Sequence, residues 1–256
     1  MCIIIFAYRT HPGYRLVLAA NRDEFYDRPT KPAHFWDDHP QLMAGKDVRW
    51  GGTWLGINRN GRFAAVTNYR DMSAHLEHGL SRGLMLCDYL LGGRHPGTFM
   101  KELEKRNSSF SGYNLLLGDL KDLYYSSNQG AAARRLSPGI YALSNHLLDT
   151  PWPKVVRSRS LFTEILSKEE KLSTGDLLAM LTDRETAPDE QLPETGIGLK
   201  WERLLSSIFI ASEGYGTKSS TVLLIDYDNR VTFTEKSFRQ LENSGSTVKF
   251  QFTLEA

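Results

Sequence analysis

Residues 2–24 read CIIIFAYRTHPGYRLVLAANRDE. Two apolar runs, CIIIFAY (2–8) and YRLVLAAN (14–21), flank the turn-forming His11-Pro12-Gly13. β-branched and aromatic residues suit a pleated, buried surface, and Pro-Gly marks a chain reversal. The stretch therefore predicts a hairpin of two well-buried strands, the second handing over to the polar Asn21, Arg22, Asp23 and Glu24. The same pattern recurs in WGGTWLGINRNGRFAAVTNYRD (50–71), where strands TWLGIN and FAAVTN flank Asn60-Gly61, a strong hairpin-turn signal.

Between and beyond the hairpins the period changes. SRGLMLCDYLLGG (81–93) predicts a helix with Ser81 as N-cap, Gly92-Gly93 as the stop, and Leu84, Cys87, Leu90 and Leu91 on one apolar face. Cys87 then reads as a core residue. A second helix is expected from Pro96 to about Arg106. Strands follow in YNLLLGD, DLYYSSN and GIYALSN (113–145), then helices over about 153–168 and 173–183. TAPDEQLPETGIG (186–198) reads as a surface loop, and the chain ends in strands SSIFIA, STVLLIDYD, RVTFTEKSF and TVKFQFTLE. Runs of strands and helices joined by hairpins favour an α+β fold: stacked antiparallel sheets with helices packed outside, in a single domain over 1–256.

The 256 residues carry 31 Lys+Arg against 30 Asp+Glu, a formal net charge of +1. Such a balance creates no field to draw nucleic acid or an anionic membrane surface. No Gly-rich phosphate loop follows a strand. Two cysteines, Cys2 and Cys87, make neither a disulfide framework nor a zinc site, and suit a reducing compartment. The opening apolar run is too short for a secretory leader, and nothing approaches the roughly 20 apolar residues of an integral membrane segment. A cytoplasmic protein without a bound metal is expected.

Polar residues gather where strands should end. Removal of Met1 would leave Cys2 with a thiol and a free α-amine on one residue. These titrate near 8.5 and near 8, so proton transfer between them is almost isoenergetic. Asp23 is positioned to hold the ammonium. Asn68, closing FAAVTN, and Asn145, in YALSN, offer amides to a developing oxyanion. Lys218 or Arg22 supplies positive charge to the thiol. Asn21, Arg22, Glu24, Trp54 and His146 are the candidate ligand-binding residues. Trp36, Trp50 and Trp54 are available to line an apolar pocket, although large aromatics usually serve as core. The remaining histidines, His11, His34, His39, His75, His78 and His95, form no obvious ligand pair with one another or with His146.

The NRDE at 21–24, GGTWLGINRNGRFAAVTNYR, LSNHLLDTPWPKV and YGTKSSTVLLID together resemble the NRDE family, also called the transport and Golgi organisation protein 2 family. The resemblance implies an N-terminal-nucleophile (Ntn) hydrolase-like fold, a four-layer αββα sandwich. It also implies a distant similarity to the choloylglycine hydrolase and penicillin V acylase group, whose mature chains begin with a catalytic cysteine. Matched by motif, Cys2 stands for their nucleophile, Asp23 for their acid, and Asn68 and Asn145 for their two asparagines. Two positions depart: Ala20 stands where those hydrolases have arginine, and Lys218, without arginine's planar fork, stands for a later one. The family resemblance points to binding of a small hydrophobic ligand, acyl or haem-like, in haem trafficking or lipid and acyl-CoA handling. Haem would then be a carried ligand rather than a required cofactor. The alternative is a cysteine amidohydrolase or thioesterase using Cys2.

Overall fold

The computed structural model describes residues 2–71, 76, 79–168, 171–239 and 245–255. Met1, His75 and His78, which entered the sequence reading, lie outside the described residues. In chain order the strands are β1 (Cys2–His11), β2 (Tyr14–Phe25), β3 (Thr30–Phe35), β4 (Leu42–Asp47), β5 (Leu55–Asn58), β6 (Phe63–Asn68), β7 (Tyr113–Gly118), β8 (Leu123–Ser127), β9 (Ala131–Arg135), β10 (Gly139–Leu143), β11 (Tyr215–Asp226), β12 (Arg230–Ser237) and β13 (Thr247–Thr253). The helices are α1 (Arg82–Leu91), α2 (Pro96–Glu104), α3 (Pro153–Lys168), α4 (Thr174–Met180) and α5 (Leu199–Leu204). The chain divides into two compact units. Unit 1 comprises Met1–Asp27, Pro138–Ser144 and Leu148–Phe252; unit 2 comprises Arg28–Ser137, Asn145–Leu147 and Thr253–Ala256.

Unit 1 is built on a sheet of order β10-β1-β2-β11-β12-β13. The expected hairpin forms around Pro12-Gly13, with Ile3 opposite Asn21 and Phe6 opposite Leu18. Both faces of β1 are buried, which explains its unbroken apolar run. On one face Ile3, Ile5 and Ala7 join Val17, Ala19 and Val222 beneath Val155 and Phe162 of α3 and Leu177 of α4. On the other, Phe6 stacks on Tyr141 at 5.2 Å. Each such large side chain contributes about 1.5–3 kcal/mol by leaving water.

Unit 2 is built on a sheet of order β3-β4-β5-β6-β7-β8-β9. The turn joining β5 to β6 needs Gly61, whose φ is +77°; its N–H donates to the Asn58 carbonyl at 3.0 Å. Helix α1 starts at the Ser81 cap, whose hydroxyl accepts from the Leu84 N–H, and stops at Gly92. Its buried stripe is Met85, Leu86, Cys87, Tyr89 and Leu90, packed on Leu42, Ala64 and Leu115. The stripe is centred on Leu86, so Leu84, expected on the apolar face, is instead 49% exposed.

Other expectations also change. Residues 206–211 (SSIFIA) are not a strand but a bonded loop: Phe209 N–H donates to Asp183, and Ile210 pairs with Thr217. The loop meets β11 through the Ile210–Thr217 bonds and the Ala211–Gly216 bridge. Strand β9, AAARR, has no β-branched residue and is held by its pairing with β8. Strands β3 and β4 and helix α5 likewise carry weak local signals. Among the described residues no helix is long and apolar enough to cross a membrane.

Candidate active site

Strand register brings the first set of candidate residues together in unit 1. Cys2 lies opposite Arg22 on β2. On the other side of β2, Thr217 lies opposite Asp23 and Ser219 opposite Arg22, so the register slips by one residue at Lys218. A bulge of this kind re-aims a side chain. Lys218 Nζ turns to donate to the Tyr26 carbonyl at 3.0 Å, tying β11 to the chain beyond β2.

Asp23 is 1% exposed. Its Oδ1 accepts from Thr217 Oγ1 at 2.7 Å, and Thr217 Oγ1 in turn accepts the Ile210 N–H at 2.9 Å. Burial pushes the Asp23 carboxyl above the usual carboxylate range. Four influences pull it down: Lys154 most strongly, then the charge at the chain's amino terminus, the Thr217 hydrogen bond and Arg22. The Cys2 residue is half-buried, and burial pushes its thiol up. The Asp23 charge pushes it further, whereas the amino-terminal charge, the Asp23 backbone N–H and Arg22 pull it down. The Cys2 carbonyl accepts from Ser144 Oγ at 3.1 Å.

The neighbours of this pair are constrained by their own bonds. Asn21 Nδ2 donates to the carbonyls of Leu181 and Ile208, each at 2.8 Å, and Asn21 Oδ1 accepts from Ser220 Oγ at 2.6 Å. The amide thus staples β2 to two loops and to β11. Buried Arg22 points its guanidinium towards Glu24, 3.8 Å away, and Glu24 accepts the Phe25 N–H.

One functional candidate escaped the sequence reading. Lys154, in the first turn of α3, is 2% exposed. It sits inside TPWPKV, a stretch already singled out, but a lysine after Pro-Trp-Pro carries no local sign of burial.

The remaining candidates belong to unit 2. Asn68 ends β6, and its carbonyl accepts from Asn145 Nδ2 at 2.9 Å. Asn145 is fully buried, and its own carbonyl accepts the Arg70 N–H at 2.6 Å. His146 lies 4.9 Å from the Tyr69 ring, and partial burial lowers its pKa. Trp54 lies against β4, where a Cβ at Gly45 would come within 2.4 Å of the indole. Trp36 is core, its indole N–H donating to the Ala44 carbonyl, whereas Trp50 is 58% exposed. The three tryptophans therefore occupy three different environments. Among the described residues no three His, Cys, Asp or Glu side chains group to hold a metal.

The family profile described as Transport and Golgi organisation 2 matches residues 1–240. The chain belongs to this family. The Homo sapiens Transport and Golgi organization protein 2 homolog is 35% identical over the whole of both chains. The Drosophila melanogaster Transport and Golgi organization protein 2 is 27% identical, covering 97% of this chain and 96% of its own. A conjugated bile acid hydrolase from Clostridium perfringens, solved as its C2A mutant, aligns with a TM-score of 0.54. It covers 100% of this chain and 97% of its own at 7% identity. At that identity the likeness concerns fold alone, and it gives this member of the Transport and Golgi organisation 2 family the α+β, Ntn-hydrolase-like fold its motifs imply.

Proposed function

We propose that the chain is a cysteine Ntn hydrolase that transfers the acyl group of a small amide or thioester to water. The observation that supports it best is the gathering of a half-buried thiol, Cys2, with the buried charges Arg22, Asp23 and Lys154 in one unit. In this reading Met1 is removed and the Cys2 α-amine takes the thiol proton. Sγ attacks the acyl carbon, and the C–N or C–S bond breaks as the amine returns that proton to the leaving group. Water then cleaves the acyl-thioester, giving the free acid and restoring the thiol. Asp23 holds the α-ammonium while it carries the extra proton. The structural neighbour's C2A substitution places a cysteine at its own second position, which agrees with the reading.

A second reading is carriage of an acyl or haem-like ligand without chemistry. Two observations favour it: burial holds the Cys2 thiol high, and the lowered pKa of His146 keeps its imidazole neutral and able to ligate iron. One experiment separates the two. Met1-free protein is mixed with an activated medium-chain ester and followed by intact mass and product release. The hydrolase reading expects an acyl adduct or turnover that disappears in Cys2→Ala and in protein that retains Met1. Stoichiometric binding that is untouched by Cys2→Ala would overturn it. A haem absorption shift lost in His146→Ala would then establish carriage.

A further inference from the structure

We infer that Lys154 is a positioning residue for the Cys2 site: from α3, its buried ammonium holds the Asp23 carboxylate as an anion beside the Cys2 thiol. The inference rests on the hydrolase reading above for its role in catalysis, but not for the pairing itself.

Two physical effects oppose a cation at this place. Lys154 is among the largest fully buried side chains of the protein, and an ammonium out of water costs several kcal/mol unless an anion offsets it. It also lies in the first turn of α3, where the helix dipole is positive and disfavours further positive charge. The helix cannot swing away to relieve this, because Val155 and Phe162 are packed among Ile3, Ile5 and Ala19. Ser158, one turn further along, is fully buried and donates its hydroxyl to the Val155 carbonyl, so it does not serve as the counter-ion. Side chains alternate faces along β2, so Asp23 shares the face of Val17 and Ala19, the one that α3 covers, and the buried carboxyl and the buried ammonium lie on the same side of the sheet. Among the charges acting on Asp23, that of Lys154 lowers its pKa most.

The other groups facing Asp23 complete the account. Cys2 approaches from β1, Arg22 is next to it on β2 and turns towards Glu24, and Thr217 donates from β11. The amino-terminal charge also acts on it. Without Lys154, burial would favour the neutral acid, and a neutral Asp23 gives the α-ammonium of Cys2 no anion to rest against. Lys154 thus acts through Asp23, not on the reacting atoms.

The test reads the protonation of Asp23 directly, through its carboxyl carbon-13 shift during a pH titration of the folded protein. In Lys154→Met the midpoint should rise by about one pH unit or more, a tenfold change in proton affinity. In Lys154→Arg, which keeps the charge, it should stay close to the wild-type value. An unmoved midpoint in Lys154→Met overturns the inference. Should Lys154→Met not fold, the reciprocal measurement decides: the side-chain titration of Lys154 should fall to lower pH in Asp23→Asn, and an unchanged titration overturns the inference. Where turnover is observed, the acid limb of kcat/KM should move upward with the Asp23 midpoint. A moved midpoint in a protein that forms no acyl adduct would sink the hydrolase reading while leaving the Lys154–Asp23 pairing in place.

Discussion

The two cysteines show how a thiol raised by burial can be met by different surroundings. Cys87 sits in α1 among Leu86, Tyr89 and Leu42, 8% exposed, and burial pushes its thiol to about 11. The charges that reach it, Lys46 and Asp38, are bonded to each other at 2.9 Å and act on it in opposite directions. Burial also raises the thiol of Cys2, but there the end of β2 supplies Arg22, the Asp23 carboxyl and the Asp23 backbone N–H. Depth alone makes a cysteine inert. What separates Cys2 is that β2 continues past its apolar half into Asn-Arg-Asp, so that the strand which buries the thiol also charges its surroundings.

The sharpest way to break this contrast is competitive alkylation with iodoacetamide, read residue by residue by mass spectrometry. A thiol titrating at about 11 is thiolate in roughly one molecule per thousand at pH 8, against roughly a quarter for an ordinary cysteine. Cys87 should therefore react at least ~100-fold more slowly than an unburied thiol. Its rate should climb about tenfold per pH unit with no plateau below about pH 11. Cys2 in Met1-free protein should react faster than Cys87 throughout and level off at lower pH. Equal rates, or a Cys87 plateau near pH 8.5, would remove the distinction.

A second variant disturbs the strand end beside Cys2 without touching a charge. Asn21→Leu leaves the Leu181 and Ile208 carbonyls and the Ser220 hydroxyl without the amide that now satisfies them. A buried polar group left unmet costs about 1–3 kcal/mol. Chemical denaturation should show a loss of about 2 kcal/mol, together with faster alkylation at Cys2 and no change at Cys87. A loss below about 0.5 kcal/mol would mean that Asn21 does not hold these loops.

This staple also marks the limit of what the sequence conveys. The hairpins around Pro12-Gly13 and Asn60-Gly61, the Ser81 cap and the span of α3 follow from local pattern, because turn chemistry and apolar period act over a few residues. That Cys2 and Asp23 are neighbours was legible for the same reason: a hairpin folds one end of β1 back onto the end of β2. Lys154 was not, since its burial depends on α3 docking against strands far away in the chain. Lys218 looked like the cation of the site, and only the bulge in β11 turns its ammonium to the Tyr26 carbonyl. SSIFIA has strand composition, yet its backbone is claimed by Thr217 nearby and by Asn21 and Asp183, partners that no local window contains.

The smallest effect tests the comparison in the opposite direction. Truncating each thiol to alanine removes one sulfur atom, so the stability cost should follow packing, not chemistry. Cys87 is enclosed by the α1 stripe and the sheet of unit 2, where a lost methylene-sized group costs about 1 kcal/mol and collapses poorly. Cys2 is half-buried at the first residue of β1, where truncation should cost about 0.5 kcal/mol or less. Acylation should show the reverse order, complete loss in Cys2→Ala and no change in Cys87→Ala. If Cys2→Ala instead destabilised the protein more than Cys87→Ala while leaving acylation intact, Cys2 would be the packed thiol of the pair, and the charges around it would serve folding instead of reaction.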